Sequence, residues 1–138
     1  MNHYTYDEIF LGQKESFAIK ITDEMLKQFM SITGDNNYLH IDKNFAISLG
    51  YKSNIAYGML TASFLSTLAG VYLPGENSLI QEVKIIFAKP VFVGDELTIT
   101  GTVMEKNDIF RYMKIKVEIR NQDKIKVLRG NMQIGFLK

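Results

Sequence analysis

The chain contains no cysteine. Disulfides, cysteine-ligated zinc and thiol nucleophiles are therefore excluded, which fits a cytoplasmic protein. Only two histidines occur, far apart and without HExxH spacing, so no metal site is expected. Neither sign of charge is in excess. A formal net charge of +1 gives no footprint for nucleic acid, and there is no acidic tail. No apolar run reaches the roughly 18 to 20 residues that span a bilayer, so no membrane partner is expected. The stretch Met1 to Glu8 is polar and acidic, unlike a secretory leader. What is present is 138 residues of ordinary apolar content, which suits one domain with its own core.

Read in order, the chain changes period once. Tyr4 to Lys14 leads in, with Ile9 and Leu11 available for packing. Phe17, Ile19 and Ile21 alternate with Ala18 and Lys20, which predicts a strand over Ser16–Ile21. Thr22 is a good helix cap, and Asp23 and Glu24 fall in the first turn, where the helix dipole favours acids. Met25, Leu26, Phe29 and Ile32 keep helical spacing up to Thr33, and Gly34 stops it. Asp42 caps a second, short helix over Lys43–Leu49, which ends at Gly50. Gly58 to Tyr72 carries no charged residue, which predicts a helix buried all round. Leu60, Phe64, Leu68 and Val71 form its bulky face; Met59, Ser63, Ser66 and Gly70 form a smaller one that lets a chain or ligand come close. Leu73-Pro74-Gly75 ends it.

From Ser78 the period becomes two. Gln81, Val83, Ile85 and Phe87 alternate until Pro90, and Gly94-Asp95 makes a turn. Leu97, Ile99, Gly101 and Val103 share one face of the next strand. Met113, Ile115, Val117 and Ile119 repeat the pattern, Asn121 to Lys124 turns, and Leu128, Met132, Ile134 and Phe136 close the chain. Gly130 marks a bulge or a close approach. The simplest packing is α+β, an antiparallel sheet wrapped around the Gly58–Tyr72 helix.

The chemistry concentrates in Thr33-Gly34-Asp35-Asn36-Asn37-Tyr38-Leu39-His40-Ile41-Asp42. Glycine and two asparagines predict a loop. A loop can bring Asp35 and His40 to one point, where an acid and an imidazole polarise a water. The bland alternative is that Asp35 caps a turn and His40 is an ordinary side chain.

This stretch resembles the hydratase motif of MaoC-like hot-dog proteins. Ile55-Ala56-Tyr57-Gly58-Met59-Leu60-Thr61-Ala62-Ser63 is similar to the start of their central helix. Leu73-Pro74-Gly75 and Phe87-Ala88-Lys89-Pro90-Val91-Phe92-Val93-Gly94-Asp95 match in order, and the likeness spans nearly the whole chain. The resemblance implies a single hot-dog domain over residues 1–138, and the activity of an R-specific enoyl-CoA hydratase, equally a (R)-3-hydroxyacyl-CoA dehydratase, on short to medium acyl-CoA. It implies a homodimer, with a dimer of dimers as the alternative, and no cofactor or metal. Asp35 and His40 become the catalytic pair, with Asn37 and Ser66 supporting. The Gly58 amide becomes the oxyanion donor, and Tyr38, Tyr57, Met59 and Ser63 become pocket residues. Lys84, Lys89 and Arg111 are candidates for the CoA phosphates.

Two positions depart from the family pattern. Tyr57 stands where histidine is usual, and Tyr38 where proline is usual after Asn37. A thioesterase and a non-catalytic acyl-CoA-binding domain are the alternative readings.

Overall fold

The computed structural model describes all of residues 1–138. A strand, β1 (Lys14–Lys20), leads to α1 (Asp23–Thr33), α2 (Tyr38–Ile41), α3 (Lys43–Ser48) and α4 (Gly58–Thr67). Four strands follow: β2 (Ser78–Phe87), β3 (Glu96–Asn107), β4 (Tyr112–Arg120) and β5 (Lys126–Phe136). They form one five-stranded sheet in the order β1-β3-β4-β5-β2, antiparallel throughout.

The local signals are realised. The Thr22 hydroxyl accepts from the Met25 amide at 3.2 Å, and Gly34 closes α1 in the left-handed conformation at φ 74°. The Asp42 carboxylate accepts from the Phe45 amide at 3.1 Å and starts α3. On β4 the predicted alternation is complete, with Met113, Ile115, Val117 and Ile119 fully buried. These pack with Leu97, Ile99, Leu128, Met132 and Ile134 against Leu60, Phe64 and Leu65 of α4 and Leu68 just beyond it. Each such side chain contributes about 1.5–3 kcal/mol of transfer free energy. Glycines set two close approaches. A Cβ on Gly101 would lie 3.0 Å from Leu68, and one on Gly130 would fall 1.9 Å from the Lys84 carbonyl of the neighbouring strand.

Four expectations change. The uncharged Gly58–Tyr72 stretch is not a uniform helix: it is α-helical to Thr67 and then widens into a π-helical turn over Leu68–Tyr72. Nor is it buried all round. One sheet can cover only one side of a helix, so Met59, Ser63 and Ser66 are exposed. Leu11 is exposed as well, while Ile9 is in the core. The same geometry leaves β2 open. Val83 and Phe87 share the face of the half-buried Ile85, yet they stay 44% and 50% exposed, although the Phe87 ring lies against the start of α4 at Gly58.

Candidate active site

The end of α1 aims Asp35. The Thr33 hydroxyl donates to the Phe29 carbonyl at 2.8 Å and accepts from the Asp35 amide at 3.2 Å. The Asp35 carboxylate accepts from the Asn37 amide at 3.1 Å, a local Asx turn. The Asn37 side chain in turn accepts from the Leu39 amide at 3.0 Å. Asn37 thus caps the single turn α2, so His40 sits on a helical turn rather than in an irregular loop.

His40 is held from the other side by residues 54 and 55. Its Nδ1 lies 2.8 Å from the Ile55 carbonyl, and the Asn54 side-chain amide donates to the His40 carbonyl at 2.8 Å. The Ile55 oxygen can only accept, so Nδ1 carries the proton. In the neutral ring Nε2 then keeps its lone pair as a base or water acceptor. Tyr57 lies behind: its ring is 4.2 Å from the His40 ring and 4.9 Å from Phe29, and its hydroxyl donates to the Asp35 carbonyl at 2.6 Å.

Two adjoining cavities share His40, Gly58 and Phe87. One, of about 550 Å³, is lined by Phe29, Thr33, Asp35, Tyr57 and Met59 as well. The other, of about 280 Å³, runs past Tyr51, Thr61 and Lys89. Gly58 opens α4 between them. The amides of a first helical turn lack intrahelical partners and carry the positive end of the dipole, so they are aimed at an anion or a developing oxyanion. A Cβ on Gly58 would sit 3.1 Å from the Phe87 ring, which would have to give by a few tenths of an ångström.

Asp35, His40, Tyr57, Gly58 and Met59 are therefore brought to one cleft. Asn37 acts on the backbone beside it, and exposed Tyr38 packs on Phe45 with ring centroids 5.8 Å apart, outside the cleft. Ser63 and Ser66 lie on the open side of α4 and line neither cavity; the Ser63 hydroxyl donates to the Leu60 carbonyl at 2.6 Å. Lys89 is on the rim. Arg111 is instead paired with Asp7 at 3.6 Å on the β3–β4 hairpin, and Lys84 with Glu82 at 3.3 Å. Sequence reasoning missed Thr61 and Lys52. Thr61 has a buried hydroxyl with no partner in the chain, and only folding reveals that. Lys52 stands 4.4 Å over the Phe92 ring, in a groove it shares with Lys89. No three His, Asp or Glu side chains cluster closely enough to hold a metal ion, and no helix is long and apolar enough to cross a membrane.

Comparison with known proteins gives the family and the fold. An (R)-specific enoyl-CoA hydratase of Rhodospirillum rubrum is 35% identical over 101 residues, covering 73% of this chain and 69% of the relative. The Aeromonas caviae enzyme of the same name is 38% identical over 88 residues, covering 64% and 66%. The unliganded R-hydratase of Pseudomonas aeruginosa superposes with a TM-score of 0.89 at 29% identity, over 95% of this chain and 84% of that one. The MaoC like domain model matches residues 10–125, and the chain belongs to that family of hot-dog domains.

Proposed function

We propose that the protein is an R-specific enoyl-CoA hydratase, adding water reversibly across trans-2-enoyl-CoA to give (R)-3-hydroxyacyl-CoA. The observation that carries this reading is the convergence of Asp35, His40 and the start of α4 on one cleft. Asp35 and the free Nε2 of His40 hold a water. As its oxygen bonds to C3, the pair takes up a proton and C2 receives one. Negative charge gathers meanwhile on the thioester oxygen, where the Gly58 amide meets it. Phe29, Met59 and Phe87 offer an apolar wall suited to a short or medium acyl chain. Lys52 and Lys89 suit the CoA phosphates at the outer groove.

The reading includes a homodimer. β2 is a sheet edge with unpaired backbone groups and exposed Leu79, Ile80, Val83, Ile86 and Phe87, a surface that soluble proteins normally cover. A second copy would cover it together with the open side of α4, where Ser63 and Ser66 stand.

The test is loss of enoyl absorbance from crotonyl-CoA by wild type, Asp35→Asn and His40→Ala. Each variant should lose roughly 100-fold or more while remaining folded. Free thiol instead of hydration would make the protein a thioesterase, and acyl-CoA binding without turnover would make it a binding domain.

A further inference from the structure

We infer that Tyr57 is a positioning residue: its hydroxyl clamps the backbone of the Asp35 loop, supplying the rigidity that the loop lacks with tyrosine at position 38. The inference rests on the hydratase reading for its kinetic consequence, but its structural part stands apart from it.

Three observations carry it. Tyr57 is only 2% exposed, yet its one polar atom finds a partner, the Asp35 carbonyl, at 2.6 Å. That bond spans 22 positions of sequence and is the hydroxyl's only hydrogen bond; the side-chain ties of Thr33, Asp35 and Asn37 are local, over two residues, and the other long-range bond, from the Ile55 amide to the Leu39 carbonyl at 3.0 Å, holds only the far end of the stretch. The same ring backs His40 at 4.2 Å. One side chain thus touches the backbone of one member of the pair and the ring of the other, so it fixes their relative placement. Burial, and then the nearby Asp35 charge, raise the Tyr57 pKa, so the hydroxyl keeps the proton it donates.

The loop is also built to take a different restraint. Asn37 has φ −58° and ψ 130°, outside the α region that a residue before proline avoids and with ψ in the range such a residue takes. Tyr38 is the first residue of α2, where an amide has no helical carbonyl to meet and proline is well accepted. A proline at 38 would stiffen the loop from within. In its absence the restraint comes from outside, from Tyr57. A misplacement of the acid by a fraction of an ångström is enough to slow proton transfer, because general catalysis needs near-attack geometry.

The experiment pairs Tyr57→Phe with Tyr57→Phe/Tyr38→Pro. Phenylalanine keeps the ring against Phe29 and His40 and removes only the bond. The expected result is a kcat for crotonyl-CoA lower by about ten-fold with KM within about two-fold, the signature of a group that acts on the reacting geometry rather than on substrate binding. Amide hydrogen exchange over residues 35–39 should speed up, and adding Tyr38→Pro should restore slow exchange and most of the lost kcat. An effect on KM alone would overturn the inference, since Tyr57 would then be a substrate contact. Unchanged exchange and kcat would overturn it too, as would a loss of kcat that Tyr38→Pro fails to rescue. If wild type shows no hydration while exchange responds as described, the hydratase reading falls and the clamp stands.

Discussion

Gly58→Ala separates what the start of α4 does for stability from what it does for chemistry. Gly58 is not among the glycines with positive φ, so alanine fits the backbone. Losing the freedom of glycine in the unfolded chain stabilises by about 0.4–1 kcal/mol. Against this, the new methyl meets the Phe87 ring at 3.1 and 3.3 Å and must push it a few tenths of an ångström. Phe87 is half exposed and can swing at small cost. The net change in stability should stay within about 1 kcal/mol, a shift in Tm of roughly 3–5 °C at most for a domain of this size. The displaced ring, however, lies in both cavities beside His40. It narrows the approach to the Gly58 amide, and an oxyanion contact works only within hydrogen-bonding distance, so hydration of crotonyl-CoA should fall roughly 10- to 100-fold. Thermal unfolding followed by circular dichroism, with initial rates on the same preparation, reads both effects. Activity within two-fold of wild type (roughly, the error of such assays) would refute the assignment of Gly58 to the reacting carbonyl. A large drop in Tm would instead show that the helix start depends on glycine for folding.

Acid sensitivity should trace in part to Glu118. Lys116, and then Lys126, outweigh burial and hold its carboxyl at about 2 instead of 4.5. A folded pKa below the unfolded one means the stabilisation is present above about pH 4.5 and is lost as pH falls toward 2. The side chain is 22% exposed and shared among surface cations, so the contribution is on the order of 1–2 kcal/mol. Glu118→Gln should therefore lower stability at neutral pH and flatten its loss between about pH 4.5 and 2, as urea titrations would show; parallel pH profiles would contradict this. At the open edge, Val83→Lys places a charge where the second copy is inferred to pack. Sedimentation should show monomers for this variant and dimers for wild type, and dimers in both would remove β2 from the interface.

What the sequence alone determined is local. Thr22 and Gly34 bound α1, and Asp42 starts α3, because capping bonds reach only a few residues along the chain. Alternation placed Met113, Ile115, Val117 and Ile119 on the inner face of β4, because side chains on a strand take turns between its faces. That Asp35 and His40 reach one cleft was legible for the same reason: both lie within one short stretch between two capped helices, whatever else surrounds them. What the tertiary structure decided depends on elements far apart in the chain. A lack of charge could not say which side of α4 the sheet would cover; Ser63, expected in the pocket, and Ser66, expected as a supporting residue, both stand on its open side. The hydrogen-bond partner of Tyr57, the unpartnered hydroxyl of Thr61 and the exposure of Val83 and Phe87 follow from how elements distant in the chain pack on one another. No periodicity along the chain encodes that packing geometry.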